Sequence, residues 1–217
     1  MRQALTRRFG FGFAALALLA LPGCISVLPE TEPDTLYRLA TADLRGTGPD
    51  EDAATVIVGR LAAPRGLAGD RIAIQREERI AYMAGAAWLS PAPDLLHSVI
   101  LDAFHSAAPA VAPAAATDGV TARFDLDLQL RHFEAVYDDG EGNAPLTRVG
   151  IRARLIDRDT RTMIGARTFD VEPRASENRQ GAIVESFSRA TSSVARLLAE
   201  WTEIQVCSVE EPAAACD

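Results

Sequence analysis

Phe124-Asp125-Leu126-Asp127-Leu128-Gln129-Leu130-Arg131 alternates apolar and polar residues without a break. Period two is the repeat of a β-strand, whose successive side chains point to opposite faces, so this segment predicts a strand with one buried and one wet face. The phase then slips, because Phe133 rather than His132 is the next apolar residue. One extra residue near Arg131–His132, a β-bulge, returns Phe133 to the core side. Asp138-Asp139-Gly140-Glu141-Gly142-Asn143 reads as a hairpin loop, and Val149, Ile151, Ala153 and Leu155 alternate on the returning strand. A turn at Asp157-Arg158-Asp159-Thr160 leads into a third strand, Met163 to Val171. Two successive hairpins make an antiparallel meander.

The meander needs cover for its apolar face. Ile183, Phe187, Ala190, Val194, Leu197, Leu198 and Trp201 mark a long amphipathic helix ending near Ile204. A second helix opens at Asp94 and runs to about Ala107, with Leu96, Val99, Ile100, Ala103 and Phe104 on one stripe. Before it, Leu36–Leu39, Ala54–Leu61, Arg71–Gln75 and Arg79–Met83 read as short strands, with turns at Pro64–Asp70 and a loop over Asp43–Asp52. Ala108–Thr117 (APAVAPAAAT) is expected to be an irregular connector. Neither helix hides its stripe except against the sheet. The expected fold is therefore α+β, a mixed, largely antiparallel sheet with two amphipathic helices packed on it, in one domain over 36–204. Residues 205–217 are read as a C-terminal tail.

The N-terminus is read separately. Arg2, Arg7 and Arg8 precede an apolar run from Phe9 to Leu21, which ends on Leu21-Pro22-Gly23-Cys24. A basic start, a short apolar stretch and small residues at a cleavage point define a secretory signal peptide, here 1–23. Ending on a small residue followed by cysteine resembles the lipobox of bacterial lipoproteins. That resemblance implies diacylation of Cys24 and cleavage before it; the alternatives are an ordinary cleaved signal or an uncleaved anchor. Residues 24–35 are read as a flexible tether, reaching about 35–40 Å at most. Two or three acyl chains fix a protein to a bilayer, where one gives only reversible attachment. Ile25 and Ser26 follow the cysteine, with no aspartate to resemble an inner-membrane retention signal. The outer membrane, periplasmic side, is the expected location, with the inner membrane as the alternative.

With three of 22 basic residues and none of the 30 acidic ones in the first 23, the mature chain carries a formal net charge of −11. That charge argues against nucleic acid or anionic headgroups as partners. Every basic residue is arginine. Cys207 and Cys216 remain once Cys24 is set aside, and an even pair in an oxidising compartment points to a disulfide, with two free thiols as the alternative.

Catalytic patterns are hard to find. His97 and His105 lie eight apart on one helix, and His132 sits at the bulge, all read as solvated or core-satisfied. Asp138–Glu141 lacks the ligand spacing of a calcium loop, and Asp125 and Asp127 read as the wet face of the sheet rather than an acid–base pair. No metal, cofactor or enzymatic activity is expected.

Read in order, several landmarks resemble the ABC-type transport auxiliary lipoproteins, the lipoprotein partners of mammalian-cell-entry (MCE) transport systems. They are Tyr37-Arg38-Leu39, Asp70-Arg71-Ile72-Ala73, Ile80-Ala81-Tyr82, Ala87-Trp88, Pro91-Ala92-Pro93-Asp94-Leu95-Leu96, Leu126 to Leu130 with Phe133-Glu134, and Glu200-Trp201. The resemblance implies a non-enzymatic role in moving phospholipid or sterol-like lipid between the inner and outer membranes. It also implies an MCE-domain protein as partner, with an inner-membrane permease and ATPase as indirect ones. Homo-oligomerisation is a further option. The rival expectations are an outer-membrane assembly or envelope-structural lipoprotein and, third, a periplasmic hydrolase. Trp88, with Tyr82 close by in sequence, is the candidate partner or lipid contact, the alternative being a core anchor.

Overall fold

The computed structural model describes residues 33–40, 46 and 48–210. The strands are β1 (Thr35–Tyr37), β2 (Ala54–Val58), β3 (Arg71–Arg76), β4 (Arg79–Trp88), β5 (Val111–Ala115), β6 (Phe124–Val136), β7 (Leu146–Asp157) and β8 (Thr162–Val171). Helix α1 (Ala92–Ala107) lies between β4 and β5, and α2 (Gln180–Cys207) follows β8. All eight strands form one mixed sheet.

The meander is the trunk of that sheet, and β6 is its axis. On one side β6 pairs antiparallel with β7 along its whole length, and β7 pairs antiparallel with β8. On its other side the sheet forks. Phe124–Leu126 pair parallel with β2, which carries β5, while Glu134–Val136 pair parallel with β3, which leads to β4 and β1. Ala62 bridges the space between the branches by hydrogen bonds to Leu128 and Leu130.

The bulge falls where the phase slip predicts, between Leu130 and His132. Phe124, Leu126, Leu128 and Leu130 before it, and Phe133 and Ala135 after it, are all buried. Glu134 stitches the extra residue in place. Its buried carboxylate accepts the Phe133 backbone N–H at 2.6 Å and lies 2.9 Å from His132 Nδ1. Gly150 faces His132 across the ladder, and a Cβ there would lie 2.9 Å from His132 Cδ2, closer than real Cβ contacts come. Glycine opposite the bulge leaves room for the His132 side chain.

Both helices cover one face. Leu96, Ile100 and Phe104 of α1 and Phe187, Val194 and Leu198 of α2 join the β6 side chains in a single core. A Leu→Ala truncation among such residues costs about 2–5 kcal/mol. Among the described residues neither α-helix covers the opposite face, which carries Gln129, Arg152 and Arg154, all exposed. This is the α+β, single-domain arrangement that the two periodicities imply.

Four expectations need correction. Ala108–Thr117 is not an irregular connector, because Val111–Ala115 form β5, paired parallel with β2. Alanine and proline are weak strand formers, but an edge strand tolerates Pro113, whose missing N–H can face outward. Thr35 belongs to β1 rather than to the tether, and α2 continues three residues past Ile204 to Cys207. Finally, β4 runs to Trp88 rather than stopping at Met83. Gly85, at φ +67°, hides the continuation by breaking the alternation.

Candidate functional site

The helix-free face of the sheet is the surface that the fold leaves open. Its charges are organised by the β6–β7 register. Asp127 pairs with Arg154 directly opposite, and Asp125 lies 3.5 Å from Arg158. All four side chains are substantially exposed, so each pair is worth at most about 1 kcal/mol. Each carboxylate therefore faces its own arginine, as expected of a wet face.

Asp157, at the end of β7, is different. It is buried, its Oδ2 accepts Arg123 Nη2–H at 2.7 Å, and its Oδ1 accepts the N–H groups of Asp159 and Thr160. The Arg123 guanidinium, helped by the Thr160 N–H, holds this carboxyl below its ordinary range. It fixes the β7–β8 turn and ties it to the segment entering β6.

Two hollows flank the β5 side of the fork. The one on the open face, about 460 Å³, is lined by Ile57, Ala116, Val120 and Ile156, with Asp125 and Arg158 at its rim. The other, about 390 Å³, lies beside the first turns of α1, with Arg60, Asp94, His97, Ser98 and Thr117. His97 Nε2 is 3.3 Å from the Val58 carbonyl oxygen, the satisfied role expected of it. Asp138 is bound by Arg174, as suits a hairpin loop. Among the described residues no group of three or more His, Cys, Asp and Glu is arranged to hold a metal ion.

The structure separates Trp88 from Tyr82. Trp88 is 1% exposed, and its ring meets Phe133 at 5.3 Å and Phe187 at 5.4 Å between centroids. The core-anchor alternative therefore describes Trp88, and a direct partner contact by its buried ring does not. Its indole N–H is buried, with no acceptor among the described residues. Tyr82 lies across the sheet from this cluster. It donates to the Gly66 carbonyl oxygen, and the Arg71 guanidinium sits 3.6 Å from its ring centroid. The irregularity in β4 at Gly85 puts the two aromatics on opposite faces, because Ala81 and Met83 flank Tyr82 on the core side.

Cys24 and Cys216 lie outside the described residues. Cys207, the last residue of α2, takes part in a disulfide. Sequence reasoning missed the role of Glu134, although a charged residue between Phe133 and Ala135 just after a phase slip was a usable signal. It also missed Leu36 and Leu89, each 59% exposed on adjoining segments of the sheet edge. Among the described residues no helix is long and apolar enough to cross a membrane.

Comparison with known proteins decides the family. The family model described as the ABC-type transport auxiliary lipoprotein component matches residues 37–199, from β1 to the last turns of α2. The chain belongs to this family. A curated relative, an uncharacterised protein of Bradyrhizobium diazoefficiens, is 25% identical over 174 residues, 76% of this chain and 45% of its own length. The chain thus spans less than half of that relative. Among solved structures, a Xanthomonas campestris protein assigned to a family of unknown function is similar, with a TM-score of 0.70 and 23% identity, covering 80% of this chain and 97% of that one. Another uncharacterised protein has a TM-score of 0.63 at 16% identity, covering 79% of this chain and 99% of that one. These likenesses show that the forked sheet with two helices is a fold this family shares with solved proteins. The description of that family is of a lipoprotein component of ABC-type transport.

Proposed function

We propose that the mature chain is a periplasmic lipoprotein held at the outer membrane by acylated Cys24. Its role there is that of a non-enzymatic auxiliary component of an MCE-type system moving phospholipid or sterol-like lipid between the two membranes. The family match over residues 37–199 carries this reading. The Leu21-Pro22-Gly23-Cys24 sequence supports the anchor. An MCE-domain protein is the direct partner, and the permease and ATPase act through it.

The arrangement of the sheet supports a docking role. One face is occupied by α1 and α2, while the other, with its arginine–carboxylate rows and apolar hollow, is free to meet a partner. Exposed charges of both signs give such a contact orientation and rate more than strength.

Complementation tests the role. Cells lacking the chain should show a lipid-transport or envelope-permeability defect that the native chain repairs and the Cys24→Ala form does not. Repair of the defect by Cys24→Ala would overturn the need for an anchor. Absence of any defect, with the neighbouring transport components intact, would favour an envelope-structural role instead.

A further inference from the structure

One corner of the sheet combines exposed leucine with arginine. Leu36 pairs in register with Ala87, and Tyr37 with Trp88. Tyr37 and Trp88 both belong to the core side, so the pleat turns Leu36 to the helix-free face. The Leu89 N–H donates to the Tyr37 carbonyl oxygen, which continues the pairing one residue past β4 and turns the Leu89 side chain the same way. Both leucines are 59% exposed. Arg38 follows on that face, and Arg71 stands opposite Ala87 with its guanidinium over the Tyr82 ring. Among the described residues neither arginine has a carboxylate within ion-pair distance, although Asp70 adjoins Arg71 and Asp34 lies four residues before Arg38.

The net charge of −11 argues against anionic headgroups for the molecule as a whole, but this corner sets two arginines beside exposed leucines. Of the other 16 arginines among the described residues, ten have a carboxylate within ion-pair distance. Leucine side by side with arginine and tyrosine is the composition of a surface that settles at a bilayer interface, apolar atoms among the acyl chains and cations at the phosphates. Its place in the chain matters equally. β1 begins eleven residues after Cys24, so this corner is the part of the folded body that the chain reaches first from its anchor. A tether of that length, extending at most about 35–40 Å, holds the corner at high local concentration beside the bilayer, where a contact too weak to recruit a free protein is still populated.

We propose that the corner formed by Leu36, Arg38, Arg71 and Leu89 rests on the phospholipid surface to which the chain is tethered. It thereby sets the orientation of the sheet relative to the membrane. The inference rests on the anchor at Cys24. It sets the β1 edge of the sheet at the bilayer and leaves β8, the opposite edge beyond β4, β3, β6 and β7, away from it.

The test uses the full lipidated chain in vesicles of phosphatidylethanolamine and phosphatidylglycerol. A nitroxide is placed at Leu89→Cys or, as reference, at Met163→Cys, which lies at the start of β8 and is 61% exposed. Power saturation compares access of oxygen, enriched in the bilayer, with that of a nickel chelate confined to water. The expected result is a high oxygen-to-nickel ratio at 89 and a water-like ratio at 163. Adding Leu36→Glu and Arg71→Gln should lower the ratio at 89 while the protein still sediments with the vesicles. Vesicle-bound protein with equal, water-like ratios at both positions would overturn the orientation and leave the anchor standing. Protein that does not stay with the vesicles would overturn the anchor and this inference with it.

Discussion

The Trp88 ring meets the Phe187 ring edge-on, with 5.4 Å between centroids and an interplanar angle of 88°. Phe133 closes the triangle 4.9 Å from Phe187. The cluster joins the end of β4, the strand after the bulge and the N-terminal third of α2, so the family landmark at Ala87-Trp88 is a packing landmark. Trp88→Ala should lower stability by about 3–5 kcal/mol, read as a large drop in melting temperature. Trp88→Phe should cost distinctly less, because it keeps a ring and removes an indole N–H that has no acceptor among the described residues. Equal losses in the two variants would show that the ring contacts are not what Trp88 contributes.

Glu134 holds the β6 bulge through the Phe133 N–H and His132. Glu134→Ala should leave the buried Phe133 N–H unpaired and cost about 1–3 kcal/mol. Hydrogen exchange should localise the effect, with the amides of residues 132–134 losing protection before the rest of β6. Uniform loss of protection along the strand would mean that the bulge is held by packing alone.

Much of this was legible in the residues. The β6 alternation could be read because one face packs on helices and the other meets water, which forces strict period two. The slip at His132 gave the bulge, because only one inserted residue restores Phe133 to the core. β5 was illegible: Val111-Ala112-Pro113-Ala114-Ala115 has no alternation and Val111 as its sole strand-forming residue, and its conformation comes from pairing with β2. The opposed positions of Tyr82 and Trp88 were hidden for a related reason. The irregularity around Gly85 changes the face parity within β4, and nothing in the spacing of the two aromatics records it. Exposure of Leu36 and Leu89 was unreadable because apolar residues in or beside a short strand ordinarily count as core.

Acid should weaken the fold in a defined direction. Arg123 and the Thr160 N–H lower the folded-state pKa of Asp157, and Arg174 does the same for Asp138. A carboxyl whose pKa is depressed by folding contributes stability that is full above its unfolded value, ordinarily near 3.9, and is lost as the pH falls through the folded value. Melting temperature should therefore fall as the pH drops below about 4. Asp157→Asn should be less stable than the native chain at pH 7 and show a shallower acid decline. An unchanged acid profile in that variant would show that Asp157 is not a coupling point.

Lipidation at Cys24 is tested by chemistry rather than stability. In cells fed a clickable palmitate analogue, the native chain should label and sediment with membranes, while Cys24→Ala should not label. Equal labelling of the two forms would place the acyl group elsewhere. Mass spectrometry of the non-reduced mature chain should also show the peptides of Cys207 and Cys216 joined, in keeping with the disulfide at the end of α2.

The account stands or falls on whether this chain works with a transport assembly. The direct measurement is affinity purification of the full-length, Cys24-anchored protein from envelopes crosslinked in vivo, with quantitative mass spectrometry against a strain carrying an unrelated lipoprotein. The account predicts strong enrichment of an MCE-domain protein, with the permease and ATPase recovered more weakly through it. Recovery of outer-membrane assembly proteins, with no MCE-domain protein above background, would contradict it.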